Sequence, residues 1–289
     1  MNNEFHLLVD PQDWTRGLIK SLNNLRVSWQ QDWVGLPAVL IACQQALGLL
    51  EKEQFQDHLR VKALNAYAMQ IAQLIEQQES PQPAYHNSLH VSDVLVSLTV
   101  LLIIQMQQSE IVNKLLLATV LTAAVGHDFA HPGGINQFDS EIESYSVNSL
   151  KAQTDSSMLD PFDFECVEKL ILHTEFKLVP SSHAAVANTD FVWSLAWCSV
   201  LLNEADILAS ATPEFGPTLC QSLSLEFADA GVEDSLTIAT QQGWLHFLKS
   251  IQFSSPAARE LGLSAQVQRL IDIPFITSTS VGLWRGNQS

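Results

Sequence analysis

The feature that most constrains this chain is the return of apolar residues every three to four positions, with few alternating stretches. Over residues 59–78, Leu59, Ala63, Ala66, Tyr67, Ile71, Leu74 and Ile75 share one stripe, while Arg60, Lys62, Gln70 and Gln73 lie elsewhere. Residues 91–106 and 110–125 are apolar on most faces, which suits central helices. The pattern continues over 167–176, 191–208, 219–228 and 236–253. Breaks fall at 80–84, 132–134, 153–163, 180–190, 209–217, 229–234 and 254–256, most of them marked by proline, glycine or serine. The expectation is an all-α, compact multi-helix fold, a single domain over 1–289. Residues 1–59 read as a helical cap and residues 257–289 as a loosely structured tail.

Composition narrows the function. Of 289 residues, 47% are hydrophobic and 16% charged, so a large core can be buried and a disordered chain is excluded. The formal charge of −17 and a pI near 4.7 repel polyanions, so neither nucleic acid nor an anionic membrane is an expected partner. A small anionic substrate would need a local positive charge, and metal ions would supply it. Cys43, Cys166, Cys198 and Cys220 are scattered without a Cys-x-x-Cys pair and read as reduced, buried thiols. The first residues lack the pattern of a signal peptide, and the apolar runs at 36–50, 94–106 and 115–125 fall short of the roughly 18 residues that span a bilayer. A soluble, cytoplasmic protein is expected.

Two short segments carry chemistry. In Tyr85-His86-Asn87-Ser88-Leu89-His90, the two histidines stand four apart and share a helix face. In Gly126-His127-Asp128-Phe129-Ala130-His131-Pro132-Gly133-Gly134, a His-Asp pair closes a very apolar helix. A lone aspartate would be costly to bury there, and a divalent cation would compensate it. Asp206, near the end of another apolar helix, supplies a third carboxylate. His90, His127, Asp128 and Asp206 then form a two-histidine, two-carboxylate metal set.

The string YHNSLHVSDV closely resembles the Tyr-His-Asn-x-x-His-Ala-x-Asp-Val signature of class I 3′,5′-cyclic nucleotide phosphodiesterases, and HDFAHPGGINQF resembles their His-Asp-x-x-His-Pro-Gly-x-x-Asn-x-Phe segment. That family belongs to the HD phosphohydrolase superfamily. The resemblance covers a core over 60–256. It implies that His90, His127, Asp128 and Asp206 hold a first, zinc-type ion and that Asp128 bridges to a second, magnesium or manganese. It implies a water shell for the second ion from His131, Glu143 and Thr174. His86 is implied as general acid, Gln241 as the amide that binds the base, and Trp244 as the ring that stacks on it.

The implied reaction is hydrolysis of cyclic AMP or cyclic GMP to the 5′-monophosphate, by a hydroxide bridging two ions about 3.5–4 Å apart. The implied partner is that small molecule, and a homodimer is compatible with the pattern. This sequence departs from the family in several places. Glu175 replaces an aspartate, and a paired-histidine element is missing near Glu143. Asn203 and Ala209 replace a histidine and an asparagine around Asp206. Ser254 stands where the carboxylate that steadies the acid histidine is expected. These departures keep two other readings open: an HD-type phosphohydrolase acting on another nucleotide or phosphate ester, and a non-catalytic cyclic nucleotide sensor. His6, His58, His183 and His246 read as ordinary surface or core residues.

Overall fold

A helix that is apolar on every side is stable in water only when other helices surround it. In the computed structural model that helix is α4 (Ser88–Gln107), buried almost continuously from His90 to Leu102. The structure describes residues 5–272 apart from 30–31, 33–34, 52–56 and 79–80. Around α4 the chain lays α1 (Trp14–Ser28), α2 (Gly35–Ala46), α3 (His58–Glu76), α5 (Lys114–Gly126), α6 (Glu141–Gln153), α7 (Pro161–Leu172) and α8 (Val179–Val186). It continues through α9 (Leu195–Leu208), α10 (Gly216–Asp229), α11 (Gln241–Ser250), α12 (Pro256–Glu260) and α13 (Leu263–Asp272). No strand occurs among the described residues.

Helix α4 packs directly on α1, α2, α5, α9 and α12. It has 20 residues and is long and apolar enough to cross a bilayer, whereas the shorter run at 94–106 read as too short. In this fold 83% of its apolar window is buried inside the protein. Its start is fixed by Asn87, whose side chain accepts hydrogen bonds from the backbone N–H groups of Leu89 and His90. Such a cap contributes about 1 kcal/mol and sets where the helix begins. It therefore sets which way His90 points.

The N-terminal helices do not stand apart as a cap. Leu18, Leu22 and Leu25 of α1 and Leu36, Val39 and Leu40 of α2 belong to the same core cluster as α3, α4 and α5. A buried ion pair joins the two regions. Arg26 donates to both carboxylate oxygens of Asp93 on α4, at 2.8 and 2.6 Å, and its guanidinium lies 4.2 Å from the centre of the Phe215 ring. A smaller second cluster holds Ala211, Cys220, Trp244, Leu245, Leu248 and Val267.

Three sequence expectations need correction. The break at 180–190 contains α8, started by Pro180 in its first turn, where a missing N–H costs nothing. The segment after the Pro-Gly turn, placed in neither a helix nor a break by its pattern, forms α6. The region after Pro256 is not loose through residue 272, because α12 and α13 dock on the body; the remainder of that tail, 273–289, lies outside the described residues. The four cysteines are buried and unpaired, with burial pushing the Cys43 and Cys198 thiols up to about 12.

Candidate active site and metal centre

Three helix ends converge on one point. His90 comes from the first turn of α4, His127 and Asp128 directly follow α5, and Asp206 lies in the last turn of α9. His90 Nε2 stands 3.2 Å from Asp128 Oδ2 and 3.1 Å from Asp206 Oδ1. His127 Nε2 stands 3.1 and 3.5 Å from the same two oxygens. These atoms face one another, yet His90 Nε2, His127 Nε2 and Asp128 Oδ2 are buried without a hydrogen-bond partner. Buried polar atoms normally have partners. The four His–Asp separations lie near the roughly 3.3 Å edge of a tetrahedron with bonds of about 2.0–2.1 Å, and the ligand atoms of His90, His127 and Asp206 lie close enough together to hold one zinc-sized ion, with Asp128 beside them.

The second shell supports that fit. His127 donates from Nδ1 to the Ala124 carbonyl at 2.9 Å, which leaves the Nε2 lone pair facing the cluster. Without an ion, protons take its place. Burial works against a charged His90, and the Asp128 and Asp206 carboxylates overcome it, raising His90 to about 9. Burial opposes the charge of Asp128 as well, but the neighbouring histidines hold its carboxyl well below the ordinary range.

Beside this cluster lies a second one. His86 Nδ1 stands 2.5 Å from Glu226 Oε1, while Glu226 Oε2 accepts from the backbone N–H groups of Tyr85 and His86 at 2.8 and 2.9 Å. Burial raises the Glu226 carboxyl, but these contacts outweigh it and hold it below its usual value. The carboxylate fixes the proton on Nδ1, so Nε2 is the nitrogen free to face a substrate. The carboxylate that steadies His86 is thus Glu226 on α10, not the position of Ser254. Ser254 instead bonds His183 and donates its backbone N–H to the buried Glu204.

The His131 ring stacks on His86 at 3.8 Å with a 19° interplanar angle. His86, His131 and Glu226 also have metal-binding types of side chain. However, His131 Nδ1 accepts from the Gly133 N–H at 3.0 Å, and His86 Nδ1 is engaged by Glu226. Burial and the nearby His86 push His131 down to about 4, so it is neutral with its proton on Nε2, a donor suited to water. The turn that carries it is tight. Ala130 sits at φ +58 and Gly133 and Gly134 at φ +78 and +96, a conformation that favours glycine.

Residues 85–186, about a third of the chain, match the family model described as 3′5′-cyclic nucleotide phosphodiesterase. By that segment the chain is similar to this family. Its fold is similar to a solved structure of the phosphodiesterase domain of a RhoPDE fusion protein from the choanoflagellate Salpingoeca rosetta. That comparison has a TM-score of 0.57 at 19% identity and covers 82% of this chain and 86% of the other. A second solved structure, the phosphodiesterase domain of Salpingoeca rosetta rhodopsin phosphodiesterase, gives 0.55 at 16% identity over 93% and 92%.

The other sequence-derived residues divide between two places. Thr174 lies in a recess against Asp206, with Phe176, Asn203, Ile207, Ile251 and Gln252 around it. Glu143 is half-buried and accepts from Asn136 Nδ2 at 2.9 Å. Burial raises its carboxyl, and the charges of Glu175 and Asp128 add to that. Glu175 is buried and bonded to Ser140 Oγ at 2.6 Å. Gln241 and Trp244 line a different recess, with Pro217, Gln221, Ala239 and Thr240. Gln241 is exposed, whereas Trp244 is only 8% exposed and donates its indole N–H to the Ser210 carbonyl at 2.9 Å.

Sequence reasoning missed Glu226, Ser210 and Arg26. None sits in a short motif. Glu226 had one local signal, a carboxylate on the otherwise buried face of α10 beside Ser224 and Cys220. A buried acid on an amphipathic helix demands a partner.

Proposed function

We propose that the protein hydrolyses a 3′,5′-cyclic nucleotide, cyclic AMP or cyclic GMP, to the 5′-monophosphate. The observation that carries this reading is a histidine held by a buried carboxylate directly beside a four-atom ligand cluster. The cluster of His90, His127, Asp128 and Asp206 suits zinc, and a second ion, magnesium or manganese, would share Asp128 with His131, Glu143 and Thr174 near it. When bound, such ions supply Lewis acidity toward phosphoryl oxygens and lower the pKa of water.

This chain's residues supply the rest. Hydrolysis forms a bond from a water oxygen to phosphorus and breaks the bond to the 3′ oxygen, which leaves needing a proton. His86 Nε2 donates it, and Glu226 on Nδ1 keeps the ring oriented and balances its charge. Neutral His131 stacks on His86 and offers an Nε2–H to water. The base lies in the recess of Gln241 and Trp244, where a side-chain amide can pair with either purine.

The test is turnover of cyclic AMP and cyclic GMP by protein loaded with zinc and manganese or magnesium, with 5′-nucleotide as the product followed. His86→Ala should lower kcat about 100-fold or more while metal content stays at the wild-type level. No product from a metal-replete wild type, or a fully active His86→Ala, overturns the reading.

A further inference from the structure

One residue that no motif contains bonds both to the tyrosine of the histidine motif and to the tryptophan of the outer recess. Ser210 follows α9, one helical turn beyond the ligand Asp206, and is buried at 6% exposure. Its carbonyl accepts the Trp244 indole N–H at 2.9 Å. Its hydroxyl shares a hydrogen bond with the Tyr85 hydroxyl, also at 2.9 Å. The Tyr85 ring in turn packs against both histidines of the first motif, with centroids 4.8 Å from His86 and 4.7 Å from His90. Tyr85 is further tied by its backbone N–H to Glu226, the carboxylate that holds His86.

The approach of Trp244 to Ser210 is closely built. A Cβ on Gly216 would lie 2.4 Å from the Ser210 carbonyl oxygen and 2.5 Å from the indole nitrogen. Only glycine at 216 leaves room for that bond. Ser210 therefore joins three arms: the helix that carries Asp206, the tyrosine packed against His86 and His90, and the tryptophan of the outer recess.

We propose that Ser210 is a positioning residue that sets the distance between the base recess and the acid histidine, through its carbonyl on Trp244 and its hydroxyl on Tyr85. This rests on the phosphodiesterase reading. A hydrogen-bonded strut of this kind acts on the geometry of the reacting complex, so its loss falls on kcat more than on KM.

The test uses the full chain loaded with zinc and manganese, assayed on cyclic AMP, cyclic GMP and bis(p-nitrophenyl) phosphate, a diester without a base. Ser210→Ala and Tyr85→Phe each remove one oxygen atom. Each should lower kcat on the cyclic nucleotide about five-fold with KM nearly unchanged, at wild-type metal content and melting temperature. Because they break the same hydrogen bond, the double variant should lose about five-fold and not about 25-fold. Multiplying losses, a change in KM alone, full activity in both single variants, or a loss that follows a falling melting temperature overturns the proposal. A wild type that cleaves only bis(p-nitrophenyl) phosphate defeats the base assignment and the strut's purpose with it. A wild type inactive on every diester removes the phosphodiesterase reading itself, an outcome distinct from an active wild type with an unaffected Ser210→Ala.

Discussion

The histidine–aspartate cluster and the recess of Gln241 and Trp244 are built in opposite ways. The cluster stands at the ends of α4, α5 and α9, three helices packed in the main core, and its atoms face each other within 3.1–3.5 Å. The recess of Gln241 and Trp244 belongs to the smaller second core, and one indole hydrogen bond joins it to the residue that follows α9. Strong, hard-to-satisfy groups were placed where the scaffold is rigid. Weaker contacts suffice in the smaller core, where the recess is lined by neutral side chains.

The sharpest way to break this comparison is at Asp206. Asp206→Ala should abolish binding of the first ion and lower turnover about 1,000-fold or more; metal content by atomic absorption together with steady-state rates checks it. Retention of a full complement of metal would show that the cluster does not depend on α9. Next comes the ion pair beneath the cluster. Arg26→Met leaves Asp93 buried without its partner, and unfolding free energy should fall by about 3 kcal/mol in denaturant titration, because an uncompensated buried carboxylate is costly. A loss below 1 kcal/mol would mean that the N-terminal helices contribute packing alone to the site.

The smallest expected effect concerns pH. In chelated protein, burial disfavours a charged His90, yet Asp128 and Asp206 raise it to about 9, above the ordinary 6.5. A raised histidine contributes stability that is complete below pH 6.5 and is lost as pH rises through about 9. The melting temperature of chelated protein should therefore decline from pH 6.5 to 9. Metal-loaded protein should not follow it, since ions and protons compete for the same nitrogens. Parallel curves for the two forms would show that the cluster does not exchange protons for metal.

Much of the histidine–aspartate cluster was legible in the chain itself. Asn87 and His90 stand three residues apart and His127 and Asp128 are adjacent, and a helix start or a helix end places each pair. Asp206 could be read because its helix is apolar enough to be central. The all-α class followed from helical periodicity, although α6 and α8 were hidden in segments rich in turn-forming residues. Glu226 could not be read, because its contact with His86 spans 140 residues of chain and no local spacing encodes it. The same holds for Arg26 with Asp93, Trp244 with Ser210, and Ser210 with Tyr85.

Read residue by residue, the chain gives the all-α class and the residue types able to hold a metal, with His86 as the proposed acid. These depend on period, capping and side-chain chemistry, all of which are local. Packing decided which carboxylate lies against His86 and how the recess of Trp244 is tied to Ser210. Both follow from which buried polar groups find each other once the apolar faces have packed, and partners 140 and 34 residues apart in the chain are chosen by that packing.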